Sequence, residues 1–200
     1  MPIYDADDTA RYQIGNLYDA DDTTRYQIGK VYDNDGTSNY LIYSGSVVLT
    51  NLVGSAAQTI MRSWSDHGYD SGTANGNAIS TIAWHRYYVR AYAEAWAAGC
   101  SHGYTNPYGY ATAVFINNIS ATGNGGNVTN HAIVQANSGT TYMQLAYRHG
   151  ESDQGSTRAT FYMIVDLTEL EASTGVTYTA DSFWSLIGKS VFYGTKEINT

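Results

Sequence analysis

Cysteine is nearly missing from this chain: Cys100 is the single thiol in 200 residues. That excludes an internal disulfide framework and any zinc or iron–sulfur centre built on several cysteines. Charge is scarce as well. Charged residues make up 14%, against about a quarter in an average domain. Ten basic residues face eighteen acidic ones, a formal net charge of −8. A protein that tracks a phosphate backbone needs a basic face, so no nucleic-acid partner is expected. No apolar run approaches bilayer-spanning length, so no membrane partner is expected either. The opening residues, Met1-Pro2-Ile3-Tyr4-Asp5, offer neither a basic n-region nor an apolar h-region. The expectation is a soluble protein made in the cytoplasm without a signal peptide.

The room left by charge is taken by glycine (20), tyrosine (19), threonine, serine and asparagine, while 43% of residues are hydrophobic. This composition favours strands and turns over helices, with enough apolar residues for a core. Its first 45 residues are a repeat of period 14. Ile3 to Asn16 aligns with Leu17 to Lys30 at eleven identical positions, and Val31 to Ser44 keeps Tyr32, Asp33, Asp35, Thr37, Tyr40 and Ile42. Each copy reads as aromatic strand, acidic turn, aromatic strand, and Asp33-Asn34-Asp35-Gly36 is a hairpin-turn signal. One hairpin is not stable alone in water, so the repeats must pack on something. Tyr4, Tyr12, Tyr18, Tyr26, Tyr32 and Tyr40 are the expected assembly-interface residues. Eight aspartates lie here. Their Asp-x-Asp-Gly pattern resembles the start of a calcium loop, but no bidentate glutamate follows at the right distance. Solvated turns are the expectation, with no metal and no cofactor.

Residues 46–200 read as a second domain, a β-sandwich or jelly roll. Strands are expected at Ser46–Leu52, Gln58–Trp64, His85–Trp96, Ala111–Asn117, Thr140–Arg148 and Arg158–Val165. Loops are expected at Asp66–Asn77 and Gly99–Gly109, and a polar turn at Ala121–Asn127. Period-two alternation sends His85, Tyr87, Val89, Ala91, Ala93 and Ala95 mostly to a core. The same alternation sends Met143, Leu145 and Tyr147 to one face, and Ala159, Phe161, Met163 and Val165 to one face. Near the end, Thr168-Glu169-Leu170-Glu171 has a capping-box pattern and Gly175 suits the C′ position of a short helix. Thr179 is placed to cap a second helix, Ala180–Ile187, closed by Gly188. Ser190–Ile198 returns as a strand. The fold class is all-β, with N-terminal hairpin repeats and a short helical insert before the last strand.

No residue is expected to be catalytic. His67, His85, His102, His131 and His149 form no close-spaced ligand pair. No Gly-x-Ser-x-Gly elbow occurs, and a lone cysteine is poor evidence for a nucleophile. Glu94 with Glu151 or Asp153 has the composition of a glycosidase pair, as many chains of this size do. Gly123-Asn124-Gly125-Gly126 lacks a phosphate-loop lysine and reads as a turn. The face of the His85–Trp96 strand that points away from the core offers more, since it aligns Arg86, Tyr88, Arg90, Tyr92 and Trp96. Gln144 and Arg148, with Tyr142 and Tyr162, join it if their strands are neighbours. Aromatic rings and long polar side chains on one sheet face suit sugars. The glycan-binding candidates are Tyr88, Arg90, Tyr92, Trp96, Gln144 and Arg148. The competing expectation is that this face packs on protein, because tyrosine and arginine also favour interfaces. Trp96 is expected to be buried, because three small residues precede it on the inner face, which leaves Arg90 and Tyr92 as the better ligand candidates.

Three stretches carry a resemblance. Phe161-Tyr162-Met163-Ile164-Val165-Asp166-Leu167-Thr168, followed by a short helical stretch and Thr179-Ala180-Asp181-Ser182-Phe183-Trp184, resembles the end of a β-sandwich module of tailed-phage structural proteins. His85-Arg86-Tyr87-Tyr88-Val89-Arg90 is similar to the His-Lys-Tyr-Tyr-Val-Arg strand of that module, and the N-terminal repeats resemble short repeats of virion proteins. After Thr168 the chain departs from the module's usual Phe-Gly-x-Gly-Asn-Glu-Pro continuation. The resemblance implies a virion location and a head- or tail-attached decoration or fibre component. The partners it implies are other capsid or tail proteins, bound through the repeats, and further copies of the chain, a homotrimer being favoured. The alternative expectation is a receptor-binding module that recognises a host surface glycan.

Overall fold

A computed structural model describes residues 46–65, 68–100, 107–137, 139–150 and 152–199 with their side chains, and within residues 1–45 the backbone of six short strands. The chain divides into two compact units, residues 1–47 with 197–200, and residues 48–196.

In the N-terminal unit each 14-residue copy carries one antiparallel hairpin, the first and third starting one residue ahead of the copy, at Pro2 and Lys30. β1 (Pro2–Tyr4) pairs with β2 (Arg11–Gln13), β3 (Leu17–Tyr18) with β4 (Arg25–Tyr26), and β5 (Lys30–Asn34) with β6 (Asn39–Ser44). The register repeats with the sequence. Tyr4 stands opposite Arg11 and Ile3 opposite Tyr12, as Tyr18 stands opposite Arg25 and Leu17 opposite Tyr26. The third hairpin shifts register between Val31 and Tyr32, so Tyr40 pairs with Asp33 and Tyr32 with Leu41. All six interface tyrosines therefore lie on hairpin strands. Their side chains, and the Asp-rich turns proper, lie outside the described residues.

β7 (Ser46–Thr50) runs across the boundary at Val47, and eight strands of the second unit follow it. They are β8 (Gln58–Trp64), β9 (Asp70–Ser80), β10 (Arg86–Ala98), β11 (Tyr108–Phe115), β12 (Asn117–Thr122), β13 (Gly126–Gln135), β14 (Thr140–Gly150) and β15 (Gln154–Asp166). They form two antiparallel sheets, ordered β13-β10-β15-β8 and β12-β11-β14-β9. The chain crosses from one sheet to the other at every step but the β11–β12 hairpin. That connectivity is a jelly roll. Helices α1 (Thr168–Thr174) and α2 (Ala180–Leu186) then precede β16 (Thr195–Asn199), which pairs with β7.

Small residues let the sheets close on each other. Ala91, Ala93 and Ala95 of β10, Ala159 of β15, and Ala111 and Ala113 of β11 are buried in one core with Val89, Phe115, Met143, Leu145 and Phe161. The Ser120 hydroxyl of β12 donates across the gap to the Ala91 carbonyl at 2.7 Å. Gly155 has no room for a side chain, because a Cβ there would lie 2.2 Å from the Trp64 ring and 2.4 Å from the Trp96 carbonyl oxygen.

Several expectations need correcting. Asp66–Asn77 is not a loop throughout: from Asp70 it is the edge strand β9, whose single buried residue is Ile79. The supposed turn at Ala121–Asn127 is narrower, because β12 runs to Thr122 and β13 starts at Gly126. Between them Gly125 takes φ +72° and donates to the Ala95 carbonyl at 2.9 Å. Met163 and Val165 do not share a face with Phe161. Opposite β10, Ala91 pairs with Phe161 but Arg90 with Met163, so Tyr162 is an extra residue in a bulge. Past it, Ile164 points to the main core and Met163 and Val165 turn to the outer face, where they are fully buried. Thr168 is no N-cap. Leu167 holds that position without a side-chain cap, and the Thr168 hydroxyl accepts from the Arg86 amide at 3.3 Å. Gly175 does end α1 at φ +66°, and Thr179 with Ser182 forms a capping box on α2. The last strand starts at Thr195 and not at Ser190.

Candidate functional site

The six glycan candidates fall on two different surfaces. Tyr88, Arg90, Tyr92 and Trp96 share the outer face of β10, whereas Gln144 and Arg148 lie on β14 of the opposite sheet. The single platform expected from the sequence does not form.

The β10 face is half covered by the chain's own C-terminal segment. Tyr88 is 0% exposed, which removes it as a ligand residue. Its ring packs 4.7 Å from Phe183 and stacks at 6.5 Å on Trp184, both on α2. Its hydroxyl is 2.9 Å from His131 Nδ1, while His131 Nε2 is 2.9 Å from Asp181. Burial pushes the Tyr88 hydroxyl up to about 12, with nearby Arg90 pulling the other way. Arg90 sits 4.3 Å over the Trp184 ring, so its guanidinium holds a helix rather than an open groove. Arg86 pairs with Glu171 of α1 and donates to the Tyr178 carbonyl at 3.1 Å. His85 and Asp166 meet at 2.7 Å, so His85 belongs to this clasp and not to the core. Beyond α2, Tyr92 lies 5.4 Å from the Arg158 guanidinium, which also pairs with Glu94. Trp96, expected to be buried, is 46% exposed. What remains open here is a short strip of Tyr92 and Trp96, with Glu94 already engaged by a cation.

The outer face of β14 is different. Arg148 is exposed, and its guanidinium lies 5.5 Å from both the Tyr69 and Tyr108 rings. In register it stands opposite Tyr110 of β11 and Ser71 of β9. The Tyr108 hydroxyl beside it and the neighbouring phenols hold its guanidinium above the ordinary arginine value. Tyr69 is 63% and Tyr110 50% exposed. One row further along, Ala146 lies between Thr112 and Thr73, a floor of small side chains. In the next row Gln144 donates to the Asn75 side chain at 2.9 Å. Tyr142, also exposed, closes the far end. Alternation along two pleated neighbours produces this arrangement: Tyr108, Tyr110 and Thr112 on β11, and Tyr142, Gln144, Ala146 and Arg148 on β14.

Sequence reasoning missed Tyr69, Tyr108 and Tyr110 as members of this face. The signal was the alternation Tyr108-Gly109-Tyr110-Ala111-Thr112-Ala113, which begins the strand three residues before Ala111. Tyr69 gave no signal, because it directly precedes β9, which is too polar to read as a strand.

Among the described residues no group of three or more His, Cys, Asp or Glu side chains has the arrangement to hold a metal ion. His149 is buried and stacks on Trp64, with ring centroids 3.9 Å apart. Trp64 donates to the Ser152 hydroxyl at 3.0 Å. Asp153 lies against Gly99, whose positive φ of +76° fits the close approach. His67, His102 and Glu151 lie outside the described residues. No family model, curated protein or solved structure matches the chain.

Proposed function

We propose that the protein is a structural component of a tailed-phage virion, a head- or tail-attached decoration or fibre protein anchored through its N-terminal repeats. The observation that carries this reading is the succession along the chain of three hairpins, one to each 14-residue copy, the first two in matching register. Isolated hairpins of two to five residue pairs are not stable alone in water. Repeated copies of one hairpin suit a partner that repeats, such as a capsid or tail lattice or symmetry-related copies of this chain. The resemblance of the repeats and of the β15–α2 stretch to virion proteins points the same way. Jelly rolls serve in both viral capsid and lectin domains, so the fold is compatible with the reading without deciding it.

The test is made on particles. Deleting residues 1–44 leaves every strand of the sandwich in place and removes all six hairpin strands, so the truncated protein is expected to stay out of the particle. Incorporation at the wild-type level overturns the anchor. Light scattering of the full chain tests self-association, with a trimer expected and a monomer at high concentration counting against it.

A second reading, recognition of a host surface glycan, is favoured by one observation, the open tyrosine-lined face around Arg148. Trp96 and Tyr92 offer a smaller surface on the opposite sheet.

A further inference from the structure

The five described arginines differ in how their charge is met. Arg62 pairs with Asp70, Arg86 with Glu171 and Arg158 with Glu94. Arg90 is laid on the Trp184 indole. Arg148 alone is exposed and pairs with no carboxylate among the described residues, although the chain carries eighteen acidic residues against ten basic ones. Its guanidinium lies 5.5 Å from both the Tyr69 and the Tyr108 ring. A planar guanidinium open to solvent beside two rings suits a bidentate oxyanion.

We infer that the outer face of the β12-β11-β14-β9 sheet binds an acidic glycan, an extended chain of sugars bearing carboxylates, with Arg148 gripping one carboxylate and β14 marking the chain's path. This rests on the second reading of function above and names its site and ligand class. Four features fit that occupant. The cation supplies charge complementarity. Exposed Tyr69, Tyr110 and Tyr142 offer flat apolar faces to sugar rings. Gln144 and Asn75 carry donors and acceptors at the middle of the path. Ala146, Thr112 and Thr73 leave space over the floor. From Arg148 to Tyr142 is six residues of strand, about 20 Å, which is long enough for several rings and far too long for a single small anion.

The experiment uses the full-length protein and titration calorimetry with three probes: a tetragalacturonate, its methyl ester, and a sialylated lactose. The tetragalacturonate and the sialoside separate uronic from sialic acid as the carboxylate's source. Binding of either acidic probe, with at least a tenfold weaker affinity for the ester in the uronate case, is expected. Arg148→Ala is expected to lose at least tenfold, Arg148→Lys less, and Ala146→Glu, which fills and charges the floor without entering the core, to abolish binding. All three variants are expected to keep the wild-type melting temperature. Failure of both acidic probes to bind, or equal binding of tetragalacturonate by the wild type and Arg148→Ala, overturns the inference. A melting temperature lowered in all three variants also overturns it, since the face is then part of the fold rather than a free surface. Incorporation of the Arg148→Ala protein into particles is measured alongside. Incorporation that persists while binding is lost separates the glycan site from the anchoring role.

Discussion

Asn51 is the side chain whose loss should cost the jelly roll most for its size. It is 2% exposed and sits just past β7. Its amide nitrogen donates to the carbonyls of Tyr162, at 3.0 Å, and Phe192, at 2.8 Å. Its amide oxygen accepts from the backbone of Val53, at 3.2 Å, and Ile164, at 3.1 Å. One side chain thus satisfies four backbone groups in three separate segments, one of them beside the β15 bulge. Each such bond contributes about 1 kcal/mol net, and a buried group left unpaired costs about 1–3 kcal/mol. Asn51→Ala removes all four partners at once. Some of the freed groups will gain water, so the expected loss is about 3–5 kcal/mol, a large part of a typical domain's stability. Asn51→Asp is nearly isosteric but faces two carbonyls with a carboxylate oxygen, and it should cost at least as much near pH 7. Urea unfolding followed by tryptophan fluorescence measures both variants, with an unchanged denaturant slope as the sign that only stability has moved. A loss below about 1 kcal/mol for Asn51→Ala would mean that the four groups find other partners, and the clamp would not exist.

Two further predictions follow from packing and burial. Gly155→Ala should destabilise by about 1–3 kcal/mol or prevent folding, because the new methyl meets the Trp64 ring and the Trp96 backbone; a wild-type melting temperature would refute the tight approach. Tyr88 should make the protein alkali-sensitive: its hydroxyl is pushed up to about 12 by burial, whereas the unfolded chain ionises near 10. Its stabilisation is therefore complete below about pH 10 and is lost as pH rises toward 12, about 1.4 kcal/mol of it by pH 11. Tyr88→Phe should lose about 1 kcal/mol at pH 8 with the His131 hydrogen bond, yet fall less than wild type between pH 8 and pH 11. Parallel losses would sink that account.

The strands legible in the sequence are those that alternate strictly between a buried and an outer face. Gln58–Trp64 is legible to the residue, and the inner row Tyr87, Val89, Ala91, Ala93 and Ala95 is the core row that its alternation predicts. The strands that escaped are peripheral or weakly patterned. β9 carries asparagine, glycine and serine, because an edge strand with an exposed outer face needs few apolar anchors. β12 places Ile119 and Ser120 in succession inside, where a register shift against β11 breaks the alternation. The candidate site was legible as a list of residue types but not as a place. Which strands become neighbours in a jelly roll depends on crossings between sheets, and no local pattern records them. Hence Arg148 was expected beside Arg90 and lies instead across the core from it.

The contrast between the two outer faces has a local origin. In β15 the extra residue Tyr162 reverses the pleat, so that Met163 and Val165 turn away from the main core. Two apolar side chains, with Tyr88 beside them, then need cover. The helical insert lays Phe183 4.7 Å from the Tyr88 ring, and Leu167, Leu170 and Ile187 are buried with it. It is clasped to the sheet by the Arg86–Glu171 and His131–Asp181 pairs. On the second sheet the outward positions of β11 and β14 alternate through tyrosine, threonine, alanine, glutamine and arginine, which tolerate water and need no cover. One inserted residue therefore commits the first face to internal packing, and the face without a comparable apolar row is the one free to meet a ligand. Deleting Tyr162 should return Met163 and Val165 to inward positions, expel Ile164 and uncouple the helices. Loss of amide protection across 168–187, with protection retained in β11 and β14, is the expected hydrogen-exchange result. Uniform loss in both sheets would show instead that the bulge supports the whole sandwich.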